Sequence, residues 1–202
     1  MMKKIYITNV SLQGRDGLLK LLYEPRGFEI QNNRETSFPI IPVIAKYQED
    51  GDEVKVLVVR TENTDTPDNF EALLKELSEL GIGIEHVKEI PVAENQSGSV
   101  NLELLMRILE EIPEESLVYS DITFGTKPMS AILLYAMSFI EKIKECEVNG
   151  IYYGEIQRKG GKPCGAFLYD LTVLKLLGDV IDQMKDLGIL EMQEALGKII
   201  RP

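Results

Sequence analysis

Histidine is nearly absent from this chain: His86 is the only one. A Ser-His-Asp triad or a multi-histidine metal site is therefore very constrained, and His86, just ahead of a strand, reads as structural or surface. Cysteine is scarce too. Cys146 and Cys164 give neither a disulfide framework nor paired metal-ligand spacing. Both lie in apolar segments, so buried free thiols in a reducing cytoplasm are expected. Basic charge is short: 22 Lys and Arg stand against 33 Asp and Glu, a net charge of −11. That argues against long-range attraction to duplex nucleic acid. It leaves room for a small anionic ligand, which backbone N–H groups and one or two local cations can hold. No segment has membrane-spanning length, and MMKKIYITNV alternates like a strand without a cleavage site. The run G-R-D-G at 14–17 lacks dinucleotide fingerprint spacing, so no nicotinamide site is expected. Carboxylates are plentiful, but no spacing singles out a catalytic pair or a metal cage. EEIPEE and ENTDTPD read as solvated ends and loops. Neither a cofactor nor a metal is expected.

What the chain does have is regular alternation. Strands are expected at 4–10 (KIYITNV), 53–60 (EVKVLVVR), 116–120 (SLVYS) and 147–153 (EVNGIYY), with a weaker one contained within 84–92. Near-continuous apolar runs of this kind suit a parallel sheet covered on both faces. Asp68 can cap the helix NFEALLKELSEL, with Gly81 as its stop. Ser99 or Asn101 starts a second helix, closed by Pro113. A third follows Lys127, with Pro128 in its first turn. It is apolar on most sides, so burial, or a subunit contact, is expected. The long connection 11–38 reads as functional or mobile. RKGGKP at 158–163 reads as a hairpin turn pairing 154–157 with 164–169. After Asp170 the chain is helical, with breaks near Gly178, Gly188 and Gly197. The fold class is α/β, Rossmann-like, mostly parallel, with helices on the flanks, a C-terminal β-hairpin and a helical tail. Residues 1–170 form the domain and 171–202 a helical extension.

In such a fold ligands bind at the carboxyl ends of strands. The sharpest local signal lies there: Asp121-Ile122-Thr123-Phe124-Gly125-Thr126-Lys127-Pro128-Met129. Gly125 permits close approach or an unusual dihedral, Thr123 and Thr126 offer hydroxyls, and Lys127 a point charge. N–H groups at the helix start can hold a phosphate. The plainer alternative is an N-cap by Thr126 beside a solvated lysine. Asn95-Gln96-Ser97-Gly98-Ser99 is another polar loop opening a helix. Gln96 and Ser97 can touch a ligand or simply cap.

The run D-I-T-F-G-T-K-P-M resembles the strand–loop–helix signature of CARF domains in type III CRISPR systems. There a D/N-x-T-x-G-T/F-K/R-x-M-type segment after the fourth strand lines the messenger pocket. The resemblance extends over most of the chain, to about Asp170, but its specific motif is confined to 121–129. Phe124 stands where many relatives have a second glycine, which narrows the pocket or supplies an aromatic face. The resemblance implies ligand contacts from Asp121, Thr123, Phe124, Gly125, Thr126, Lys127 and Met129. From the loop after the first strand it implies Asn9, Val10, Ser11 and Gln13. It further implies a homodimer binding cyclic oligoadenylate, as the tetra- or hexa-adenylate, across its two-fold interface. The function implied is a sensor of antiviral signalling, with any effector domain lying C-terminal to it. The alternative is a metal-independent ring nuclease, with Ser11 holding position and Lys127 stabilising charge. A regulator or enzyme for another nucleotide is a third possibility.

Overall fold

The computed structural model describes residues 2–14, 18–63 and 66–184, with Gly188, Glu191, Gln193, Glu194 and Gly197 beyond them. Its strands are β1 (Lys3–Asn9), β2 (Glu24–Arg26), β3 (Glu53–Thr61), β4 (Val87–Val92), β5 (Leu117–Asp121), β6 (Glu147–Lys159) and β7 (Lys162–Asp170). The helices are α1 (Ile40–Tyr47), α2 (Thr66–Ser78), α3 (Gly98–Glu111), α4 (Lys127–Lys144) and α5 (Val173–Met184). One sheet runs in the order β2-β7-β6-β5-β1-β3-β4, parallel throughout except for β6 against β7. With the three-residue β2 set aside, the chain-order numbering reads 3-2-1-4-5-6, the doubly wound arrangement. The α/β Rossmann-like class expected from the alternation is the one observed.

β1 shows why the centre of the sheet is so apolar. Successive side chains point to opposite faces. Ile5 and Ile7 join the layer under α3 and α4, while Tyr6 faces α1 and α2. All are buried, because helices cover both sides. On the first side Leu57, Val59 and Ile90 meet Leu104, Ile108, Leu133 and Met137. On the second, Val56 and Val58 meet Ile40, Ile41, Leu73 and Leu77. There α1 is short, and tyrosines fill the space beside it. Tyr119 stacks on Tyr6 at 5.1 Å and on Tyr47 at 4.6 Å between ring centroids.

Several local expectations are corrected. α2 begins at Thr66, not after Asp68, because Asn63 Oδ1 accepts the Thr66 N–H at 3.0 Å. Asp68 lies in the first turn, where its charge still favours the helix dipole. α3 is capped by Ser97 rather than starting at Ser99 or Asn101. The segment 84–92 opens with a 3₁₀ turn, Ile84–His86, before β4, and His86 is exposed beside Glu85. Gly178 lies within α5 and does not break it. An interior glycine costs a helix only about 1 kcal/mol. Gly188 and Gly197 fall in a stretch mostly outside the described residues. Cys146 is buried, but Cys164 is exposed. In the β6–β7 hairpin Gln157 pairs with Gly165 and Arg158 with Pro163, so Cys164 is the extra residue of a bulge.

The connection after β1 is an organised segment. It contains β2 and an antiparallel bridge between Leu21 and Thr36, and it buries Tyr23 and Phe38. α2 anchors it. Buried Glu76 accepts the Thr36 hydroxyl and, at 3.2 Å, the Ser37 N–H. Finally, α4 is less buried than its composition suggests: Tyr135, Phe139 and Ile143 are 65%, 42% and 64% exposed. No helix among the described residues is long and apolar enough to cross a membrane.

Candidate functional site

β1 and β5 are neighbours in the sheet, and the strand order reverses between them. A crevice at such a switch point is where doubly wound sheets place ligands. Asn9 closes β1 and is wholly buried. Its Nδ2 donates to the Phe124 carbonyl at 2.9 Å, so the end of the first strand holds the loop after the fifth. Its Oδ1 is buried without a partner. Such an orphan acceptor costs about 1–3 kcal/mol and calls for an explanation.

Gly125 sits against Asn9 with φ +91°, and a Cβ there would lie 3.2 Å from Asn9 Cγ. Dihedral and close contact both favour glycine. Next to it Thr126 caps α4, accepting from the Met129 N–H at 3.5 Å. The same hydroxyl donates to Gln96 Oε1 at 2.6 Å. Gln96 precedes Ser97, the cap of α3. Loops following β1, β4 and β5 are thus tied into one cluster.

Within that cluster the N–H groups of Phe124, Gly125 and Thr126 donate to no acceptor among the described residues. Successive free amides around a positive-φ glycine make an anion-binding concavity. Lys127 follows, exposed and without an ion pair among the described residues. The helix start itself supplies fewer donors than expected. Pro128 has no N–H, the Met129 N–H is capped, and the Ser130 N–H bonds to the Thr126 carbonyl at 3.2 Å. The available donors are the loop N–H groups and, at the helix start, that of Lys127.

Asp121 ends β5 and is completely buried. Its Oδ2 accepts from Thr8 Oγ1 at 2.9 Å, and its Oδ1 accepts the N–H of Thr123 at 2.9 Å as well as its hydroxyl. Thr123 Oγ1 in turn accepts from the Gly154 N–H of β6 at 2.7 Å. Burial pushes the Asp121 carboxyl up to about 6, against the opposing pull of hydrogen bonds from Thr123 and Thr8. Burial, and then the Asp121 charge, push the Tyr23 hydroxyl up to about 12. Asp121 and Thr123 therefore spend their polar atoms on internal bracing of β1, β5 and β6.

The other candidates divide the same way. Val10 and Met129 are buried in opposite core layers, and Met129 Sδ accepts from Thr61 Oγ1 at 3.7 Å. Ser11 is buried, with Oγ accepting the Gln13 N–H at 3.2 Å. Gln13, Gln96 and Ser97 are exposed. The Phe124 ring is half-buried, edge-on to Phe38 at 6.3 Å, so its bulk leans on the core and leaves part of it accessible. Asn9, Gln96, Phe124, Gly125, Thr126 and Lys127 are brought together. Val10, Ser11, Asp121, Thr123 and Met129 support them from inside.

Two supporting residues escape a motif-based reading: Thr8, bound to Asp121, and Asn69. Asn69 Nδ2 donates to the Ser11 and Gln13 carbonyls at 2.9 and 2.7 Å, fixing the loop after β1. The available signal was a polar residue on the buried face of α2, where Thr66, Asn69, Leu73, Glu76 and Leu77 recur. Beside the switch point, a cleft of about 540 Å³ at the ends of β3 and β4 is lined by Arg60, Glu62, Asn63 and Glu94. Its arginine is engaged by Glu89 and its two carboxylates repel phosphate, so it does not compete as an anion site. Among the described residues no group of three or more His, Cys, Asp or Glu is placed to hold a metal ion. A scan against protein-family models and a search of curated proteins each returned no match.

Proposed function

We propose that this chain is a cyclic oligoadenylate sensor of the CARF type, acting as a cytoplasmic homodimer in type III CRISPR antiviral signalling. The observation that carries the proposal is the row of amides at Phe124, Gly125 and Thr126, free among the described residues, followed at the switch point by Lys127, which has no ion pair among them. Backbone donors around a positive-φ glycine suit a phosphodiester oxygen, and the lysine adds charge without making the whole surface basic. Gln96 and Gln13, exposed on the flanking loops, offer donors and acceptors for an adenine edge.

Dimerisation has its own support. Along α4 exposed positions recur every four residues at Lys127, Ala131, Tyr135, Phe139 and Ile143, with Lys142 exposed beside the last. Such a row winds slowly around the helix, so Tyr135, Phe139 and Ile143 share a face, while Lys127 lies well round from Ile143. Leu102 and Met106 of α3 add exposed apolar surface. A two-fold contact through this surface would present the loops of two copies to a ligand that has two-fold symmetry itself. Exposed apolar surface of this extent marks an interaction site.

Titration with cyclic tetra- and hexa-adenylate tests the proposal, followed by chromatography of the incubated ligand. Binding of an intact ring is the expected result, with Lys127→Ala weakening it about tenfold, the loss of one charge-assisted contact. The lysine is exposed and unpaired, so the thermal midpoint of that variant stays unchanged. A linear product would turn the sensor into a ring nuclease. Ser11 is then the weaker of its two candidates, because its hydroxyl is buried. Tight binding of a mononucleotide with none of either ring overturns the assignment.

A further inference from the structure

β6 does not stop where its sheet partner stops. Its last pair with β5 is Tyr152 opposite Asp121, yet β6 continues to Lys159 and returns as β7 from Lys162. At about 3.3 Å per residue the hairpin projects roughly 20 Å past the carboxyl end of β5. β5 and β6 are parallel, so this overhang stands on the side of the sheet that carries the switch-point loops. Its base already touches them. The Ile122 N–H donates to the Tyr152 carbonyl at 2.9 Å, and Thr123 Oγ1 holds the Gly154 N–H.

The tip has a charge opposite to that of the protein. Residues 158–162 carry Arg158, Lys159 and Lys162 with no acid among them, in a chain of net charge −11. All three are exposed, and none makes an ion pair among the described residues. Arg158 spends one N–H on the Gly161 carbonyl at 3.4 Å. Gly160 and Gly161, at φ +60° and +80°, form a tight two-residue turn that holds the three cations together.

We infer that the β6–β7 hairpin is a cationic arm over the switch-point site, supplying Lys159 and Lys162 to phosphates of the ligand that the 124–126 amides cannot reach. This rests on the function proposed above and adds residues outside the motif. A cyclic oligonucleotide carries one charge per phosphodiester, more than the Lys127 side chains of two copies can balance. The arm adds cations while the rest of the surface stays acidic. Lysines at an exposed strand edge also have a plainer use, as guards against edge-to-edge pairing.

Lys159→Glu combined with Lys162→Glu separates the two roles, with the double arginine variant as a charge-retaining control. Kd for cyclic tetra- and hexa-adenylate is measured at low and high salt. The expected result is a Kd about tenfold higher for the glutamate variant at low salt and a weaker salt dependence, with the arginine variant close to the parent. An unchanged Kd and salt slope in the glutamate variant, whether or not it aggregates, overturns the arm and leaves the sensor proposal standing. A parent protein that binds neither ring removes both.

Discussion

The two faces of the sheet bury equally apolar strands but are finished differently. Over one, α1, α2, the tyrosine layer and the organised segment after β1 close the surface, and neither helix exposes a large hydrophobic side chain. Over the other, α3, α4 and α5 leave Leu102, Met106, Tyr135, Phe139, Ile143, Val173, Leu174 and Leu176 exposed. The hydrophobic driving force is the same on both sides, so the difference reflects what each face meets next. A closed face is complete within the chain. Exposed apolar surface of this kind is where a partner binds, and in the dimer proposed above that partner is a second copy.

Reversing the character of the open face should have the largest effect. Phe139→Glu with Ile143→Glu is expected to convert the proposed dimer to monomer, because two unpaired carboxylates would be buried at the contact. Sedimentation at micromolar concentration reads the result. A parent that sediments as a monomer, or a variant that stays dimeric, removes the contrast between the faces.

Single truncations then compare the faces energetically. Leu73→Ala on α2 empties a fully buried position and is expected to cost about 2–5 kcal/mol in urea unfolding. Tyr135→Ser on α4 should cost the isolated protomer under about 0.5 kcal/mol. Comparable losses would mean that α4 is held by contacts within the protomer rather than prepared for a second copy.

The fold was legible because it is written in periodicity. The strand alternation of β1 and β3 and the punctuation at Gly81, Pro113 and Pro128 depend on near neighbours alone. The site was only partly legible. Gly125, Thr126 and Lys127 stood out because a positive dihedral, a cap and an unpaired cation each select residue type locally. Their supports did not stand out. Thr8 reaches Asp121 across 113 positions, and Asn69 reaches Ser11 across 58. Contacts of that range leave no spacing in the chain, only a polar residue where burial was due. Nor does the motif itself show that polar atoms of Asp121 and Thr123 brace the sheet.

Asp121 belongs to the closed side, and its charge should show in the pH dependence of stability. The folded carboxyl keeps its proton up to about pH 6, while the unfolded one loses it near 3.8. The folded state therefore binds the proton more tightly between those values, and the contribution of Asp121 is lost as pH rises through about 6. Asp121→Asn does not titrate. The stability of that variant relative to the parent should rise between about pH 4 and 6, by up to roughly 3 kcal/mol. A difference that stays flat across this window would show that Thr8 and Thr123 fully offset burial.

A modest effect on binding is expected on the open side, at Thr126. Its hydroxyl caps α4 and holds Gln96, so Thr126→Ala should cost about 1 kcal/mol of stability. It should also raise Kd for the cyclic ligand, since the loop before α3 is released from the loop before α4. Thr126→Ser retains the oxygen and should restore both. If the alanine variant loses stability but binds as tightly as the parent, the link from Thr126 to Gln96 is only a cap, and the three-loop cluster reduces to the pair held by Asn9.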